Sequence, residues 1–301
     1  MMNKVYSTMA MAVAAFCLAS CSSDDDAPAT SKYITVATSI GQMTRTTTNT
    51  EGIQEFAGDD KISVYAWTGE ATTVPADLVV NNSINTYDGA KWTAVPQMLW
   101  KDITTPHYFL SIYPDRAVTD FTADEYTLDT ENQEASDLLV AVNTGAEGTG
   151  LVATANPVSL MFNHAMAKLM VNLQFRNQWA TTPTVTSVTA MAKNAATVNY
   201  VTANGTVVTA NGEQGGIALP ATTVNTCYTS VMVPQSGFRN IDIVIDGKTY
   251  SFTHTEDIAL ESGKYTTVNL IVGRNEITLG SVSINSWQEG ASIEGGEAQT
   301  D

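Results

Sequence analysis

Ile241-Asp242-Ile243-Val244-Ile245-Asp246-Gly247-Lys248-Thr249-Tyr250-Ser251-Phe252 is the stretch that decides the fold class. Asp-Gly supplies two adjacent residues that tolerate positive φ, which a two-residue hairpin loop requires. With Asp246-Gly247 as the loop, Ile245 faces Lys248, Ile243 faces Tyr250 and Ile241 faces Phe252. β-Branched and aromatic side chains then meet across one face, which is the pairing that stabilises an antiparallel ladder. The stretch reads as a β-hairpin.

The same two-residue period runs outward in both directions. Towards the C-terminus, Thr266, Val268, Leu270 and Val272 alternate, and Ile277 to Trp287 forms a last strand whose phase changes near Gly280 and Ser281, as a bulge would make it. Towards the N-terminus, Leu138, Val140 and Val142 alternate, as do Tyr108, Leu110 and Ile112 between Pro106 and Pro114. Lys61 to Trp67 places Ile62, Val64 and Ala66 on one face, and Tyr33 to Ile40 places Ile34, Val36, Thr38 and Ile40 on one face. The run Leu160 to Phe175 holds Ala165, Ala167, Leu169, Val171, Leu173 and Phe175 in phase, against a competing helical spacing of Phe162, Met166, Leu169 and Leu173. Asp88-Gly89, Asn204-Gly205 and Asn211-Gly212 are expected hairpin loops. The fold class is all-β. About a dozen strands exceed what one sandwich of seven to nine holds, so two sandwich domains are expected. Their break falls between Arg176 and Pro183, giving residues 33–178 and 179–301.

The N-terminus carries an address. Lys4 precedes an apolar segment, Met9 to Ala19, that is too short to span the ~30 Å hydrocarbon core of a bilayer as a helix. Residues 1–20 read as a signal peptide. Leu18-Ala19-Ser20-Cys21 resembles a bacterial lipobox, in which the Cys21 thiol is acylated and becomes the first residue. Acyl chains contribute about 0.8 kcal/mol per buried methylene, enough when several are present to hold a domain at the outer membrane. The acidic linker 21–32, with Asp24, Asp25 and Asp26, resembles a surface-export signal, with a solvated spacer as the alternative. A formal charge of -17 disfavours nucleic acid as a partner. Cys17 leaves with the leader and Cys21 would carry lipid, so Cys227 stands alone, without an intrachain disulfide, as a small core residue.

Catalytic chemistry is thin. His107, His164 and His254 are far apart and form no H-E-x-x-H arrangement, and no P-loop, G-x-S-x-G or paired-cysteine metal signature occurs. Asp129, Glu131, Glu134 and Asp137 lack the glycine of a calcium loop and read as a solvated turn. Trp67, Trp92 and Trp100 could stack on a sugar, or fill cores as tryptophans in β domains more often do. No enzyme activity, metal or cofactor is expected.

Four segments occur together in order: Phe56-Ala57-Gly58-Asp59-Asp60-Lys61-Ile62-Ser63-Val64-Tyr65-Ala66-Trp67, Leu160-Met161-Phe162-Asn163-His164-Ala165-Met166-Ala167-Lys168-Leu169, Leu260-Glu261-Ser262-Gly263-Lys264-Tyr265 and Ile284-Asn285-Ser286-Trp287. Behind a lipobox, they resemble the fimbrillin-like family of surface lipoproteins over almost the whole mature chain. That resemblance implies two transthyretin-like β-sandwich domains in tandem and a strand reading of Leu160 to Phe175. It implies a subunit of a type V pilus, with other pilin subunits as partners and an arginine-specific, trypsin-like protease as processing enzyme. Cleavage between Arg45 and Thr46 would free the strand bearing Ile34, Val36, Thr38 and Ile40. A donor strand from the next subunit, matching residues 277–286 with Ile277, Leu279, Val282 and Ile284, would then fill the groove by strand addition. If Arg45 is instead an ordinary loop arginine, the implied role is an uncut anchor or accessory subunit, or a glycan-binding surface lipoprotein.

Overall fold

A computed structural model describes residues 31–41, 55–132 and 135–286. Among them run seventeen strands: β1 (Val36–Ile40), β2 (Lys61–Thr68), β3 (Val80–Tyr87), β4 (Trp92–Val95), β5 (His107–Tyr113), β6 (Asp124–Thr127), β7 (Leu139–Asn143), β8 (Val158–His164), β9 (Ala167–Phe175), β10 (Val185–Thr202), β11 (Gly205–Ala218), β12 (Ala221–Thr223), β13 (Cys227–Met232), β14 (Asn240–Ile245), β15 (Lys248–Thr253), β16 (Lys264–Val272) and β17 (Ile277–Ser286). The described residues contain no α-helix.

The hairpin read from Asp246-Gly247 forms in the expected register, with Ile245 opposite Lys248, Ile243 opposite Tyr250 and Ile241 opposite Phe252. Asp246 and Gly247 both adopt positive φ, +48° and +78°. Ile241, Ile243, Ile245 and Phe252 are buried, so the alternation translates directly into one core face.

Three sheets result. One has seven strands in the order β1-β8-β7-β5-β2-β3-β4, and the others have five each, β11-β10-β14-β15 with β6 attached to β10, and β12-β13-β9-β16-β17. The two five-stranded sheets share one core, with Leu169, Val171, Val268 and Leu270 on one side and Val188, Ile241, Ile243 and Phe252 on the other. That core continues onto the seven-stranded sheet through Tyr65, Trp67, Leu110, Ile112 and Val140. The opposite face of the same sheet encloses a separate core of Ile34, Val36, Ile40, Ile62, Val64, Phe109, Leu160 and Phe162. β2 is therefore buried on both faces, and its odd and even residues feed different cores.

β6 carries a further link between the halves. It pairs with β10 from Thr127 opposite Ala195 to Asp124 opposite Val198. The Tyr200 hydroxyl donates to Asp124 at 2.6 Å, and the Thr197 hydroxyl donates to Glu125 at 3.0 Å.

Several sequence expectations shift. Leu160 to Phe175 is neither one strand nor a helix but β8 and β9, which join different sheets. The inward residues change from even numbers (Val158, Leu160, Phe162) to odd (Ala167, Leu169, Val171), and the change of sheet falls at Ala165-Met166. Both of those residues are buried, so no polar interruption marks the place. β9 thus pairs with strands of the second half, although it precedes the expected break at 176–183. Asn211-Gly212 is a bulge inside β11 rather than a hairpin loop, since Ala195 pairs with Asn211 while Lys193 pairs with Gln214. The loop at Asn204 is Ala203-Asn204, with Gly205 already paired to Thr202. Val142 is 38% exposed, and Cys227 is half-buried at the start of β13 rather than in a core. The phase change at Gly280 is the expected bulge, because Asn269 pairs with Ser281 and Leu270 with Leu279.

Candidate functional site

The first described strand closes a sheet that would otherwise have two open edges. β1 pairs in parallel with β8, Val36 opposite Val158 through Ile40 opposite Phe162. The Val158 N–H donates to the Thr35 carbonyl at 2.8 Å and the Gly41 N–H to the Phe162 carbonyl at 2.6 Å. On its other side, the residues leading into β1 meet the segment that follows β4. The Ile34 N–H donates to the Met98 carbonyl at 3.1 Å and the Trp100 N–H to the Lys32 carbonyl at 3.3 Å. Tyr33 and Leu99 form an antiparallel bridge between them. The seven-stranded sheet curls until both of its ends reach the same short segment.

Alternation decides what that segment buries. Ile34, Val36 and Ile40 are 1%, 8% and 7% exposed, while Tyr33, Thr35, Ala37 and Ser39 face outward. Each such side chain contributes about 1.5–3 kcal/mol on burial, so the three together stabilise the closure by roughly 5–9 kcal/mol. Thr38 shares the inward face and is the polar exception. Its hydroxyl accepts a hydrogen bond from Trp92 Nε1 at 2.9 Å, so a residue of β4 grips a residue of β1 across the groove. Sequence periodicity placed Thr38 on this face and gave no sign of its partner, which lies 54 residues away.

Aromatic rings close the end of the groove by Ile40. Phe56 lies edge-on to Trp92 at 5.2 Å, to Phe162 at 5.2 Å and to Tyr113 at 5.4 Å. Phe162 is also the register partner of Ile40. Gly41, whose N–H donates to the Phe162 carbonyl, and Phe56, edge-on to the Phe162 ring, thus meet at the same residue. Cys21, Arg45 and Thr46 lie outside the described residues, as do Glu134 and Trp287.

The residues marked for strand donation lie at the far edge of the other half. β17 pairs only with β16, antiparallel, as the outer strand of its sheet. Its bulge at Gly280 brings Ile277, Leu279, Val282 and Ile284 onto one face despite their mixed numbering. Ile277, Leu279 and Val282 are half-buried against the core, and Ile284 is 39% exposed.

The three histidines have separate surroundings. His107 is fully buried and its Nε2 accepts from the Lys101 N–H at 3.1 Å; burial holds its proton affinity below the usual imidazole range. His164 Nδ1 lies 2.9 Å from the Asp137 carboxylate, and His254 Nδ1 lies 2.9 Å from the Glu256 carbonyl. Among the described residues no group of three or more His, Cys, Asp or Glu could hold a metal ion. Asp129, expected in a solvated turn, accepts the Glu131 and Asn132 N–H groups. Trp67 and Trp100 fill cores, and Trp92 serves the groove. An open cleft of about 1150 Å³ lies between Thr72–Leu78 and Ala117–Thr122, and none of those three tryptophans lines it.

The family model described as fimbrillin-like matches residues 44–287. A crystal structure of a candidate cell-adhesion protein from Bacteroides uniformis is similar with a TM-score of 0.62 at 16% identity, over 85% of this chain and 98% of that one. One from Bacteroides ovatus gives 0.61 at 19% identity, over 86% and 99%. A fimbrial protein from Bacteroides vulgatus gives 0.50 at 15% identity, over 84% and 99%. At these identities the likeness is one of fold. No curated protein matches the chain.

Proposed function

We propose, from the premise that this chain belongs to the fimbrillin-like family, that it is a structural subunit of a type V pilus, exported as a lipoprotein and polymerising by protease-triggered strand exchange. The family is one of fimbrial, surface-located proteins, and the proposal adds how this member joins its neighbours. One observation carries it. The segment before Arg45 is a short strand that plugs a groove with Ile34, Val36 and Ile40 and completes a sheet at both ends.

Cutting after Arg45 leaves that strand held by non-covalent contacts alone. A gross burial of roughly 5–9 kcal/mol, before the cost of ordering the peptide, corresponds to an affinity near or weaker than micromolar. The peptide 21–45 can then depart with its lipid, and the emptied groove offers a β8 edge and a row of apolar pockets. A strand of similar alternation restores both. β17 supplies such a face in Ile277, Leu279, Val282 and Ile284, and leaving its own sheet would break pairing with β16 alone.

N-terminal sequencing of the protein taken from the cell surface tests this reading. A free Thr46, with SDS-resistant ladders that disappear in Arg45→Ala, is the expected result. A surface population that begins with acylated Cys21 and runs as a monomer would overturn it and leave an uncut anchor or accessory lipoprotein.

A further inference from the structure

We propose that His107 is a pH-sensitive latch on the N-terminal half of the β1 segment: its neutral ring anchors the stretch Met98–Lys101 against Lys32–Ile34, and protonation loosens that edge. The inference concerns the intact chain and holds whether or not the strand is ever cut.

The geometry runs through one hydrogen bond. Lys101 N–H donates to His107 Nε2 at 3.1 Å, so Nε2 must be the unprotonated nitrogen and Nδ1 carries the hydrogen. Lys101 directly follows Trp100, whose own N–H holds the Lys32 carbonyl, and Met98 accepts from Ile34 two residues earlier. A second proton on the ring would place a donor at Nε2 opposite the Lys101 N–H. Two donors would then face each other at hydrogen-bond distance in a fully buried setting, and the backbone at 101 has to move. The Trp100 ring, edge-on to His107 at 4.9 Å, moves with it.

The ring itself has little freedom to yield. His107 is pinned by two backbone hydrogen bonds with Leu151, both 2.8 Å, and pairs with Thr68 in β2. Nδ1 of His107 and Nε1 of Trp100 are both buried without a hydrogen-bond partner. Burial lowers the proton affinity of the ring, while the Thr105 and Leu151 carbonyls and the Asp102 carboxylate raise it and the Lys101 ammonium lowers it. From β2 the facing residue is the uncharged Thr68. In the unfolded chain the imidazole takes up its proton near pH ~6.5, and in the fold it does so only at lower pH. The stability that the latch contributes is therefore full above about pH 6.5 and declines towards the lower pH at which the folded ring protonates, where it is lost.

Amide hydrogen exchange on the intact chain, with Cys21→Ala to keep it lipid-free, tests the latch when rates are converted to protection factors at each pH. Protection of the Ile34 amide is expected to fall by roughly tenfold as the pH is lowered from 7.5 to the point at which NMR shows the folded His107 ring protonated. Protection of the Gly41 amide, at the β8 end of the same segment, is expected to stay constant. In His107→Gln, which keeps an acceptor and cannot titrate, the Ile34 profile is expected to be flat. Constant Ile34 protection while His107 titrates would overturn the proposal, as would an equal loss in His107→Gln or a joint loss at Ile34 and Gly41. Should the variant fail to fold, the wild-type comparison of Ile34 with Gly41 decides alone.

Discussion

The two ends of the described chain are both edge-forming strands, and they are held in opposite ways. β1 is five residues long, and the segment that carries it plugs a core with three side chains at 8% exposure or less. β17 is ten residues long, pairs along nearly its whole length with β16, and buries none of its side chains fully. The first is held chiefly by side chains and the second by its backbone ladder. A strand held by plugs is specific, because only a sequence with apolar residues in the same alternation can replace it. A strand held by its ladder is tolerant of sequence and can be peeled from one end.

Charge placed on the two strands should break this contrast or sharpen it most. Ile34→Asp puts a carboxylate at a site 1% exposed, with Ile62, Val64 and Trp100 among the residues of the same core. A loss of at least about 4 kcal/mol is expected, most of what a domain has to spare. Ile284→Asp, at 39% exposure, is expected to cost within about 1 kcal/mol. Guanidinium unfolding of both variants reads the difference, and equal midpoints would mean that the groove does not depend on its plug.

Truncation gives a smaller version of the same contrast. Ile40→Ala removes a plug seated against Phe162 and should cost about 2–4 kcal/mol. Leu279→Ala acts on a half-buried side chain beside a bulge, and about 1 kcal/mol is expected. Thermal unfolding that ranks Leu279→Ala above Ile40→Ala would reverse the roles assigned to the two strands.

How much of this was legible in the sequence depends on the range over which the physics acts. The hairpin at Asp246-Gly247 was readable to the register, because turn chemistry and cross-strand pairing lie within twelve residues. The inward face of the β1 segment was equally readable, since a period of two needs no knowledge of the partner. The partner was not readable. Nothing local to Ile34 points to Met98, and nothing local to Thr38 points to Trp92, because both pairings are set by how the sheet curls. The place where the chain passes from one sheet to another was not readable for a related reason. Buried Ala165-Met166 continues the apolar pattern through the point where the chain changes sheets. β6 was missed as a strand because its Asp124 and Glu125 are polar, and they serve Tyr200 and Thr197 rather than solvent alone.

The smallest expected effect isolates one hydrogen bond on each strand. Thr38→Val keeps the shape of the side chain and removes the acceptor for Trp92 Nε1, leaving a half-buried donor that water reaches only in part. Ser281→Ala removes the acceptor for Asn269 Nδ2, a bond of 2.7 Å in an exposed position, where water replaces it freely. The first should cost about 1 kcal/mol and the second close to nothing, although the lost bonds are of similar length. A double-mutant cycle of Thr38→Val with Trp92→Phe separates the bond from the packing of the indole against Phe56. A coupling near zero would mean that β4 merely covers the groove. A coupling of about 1 kcal/mol would mean that Trp92 selects for a hydroxyl at the third inward position, so that any incoming strand is judged on one polar contact as well as on its apolar spacing.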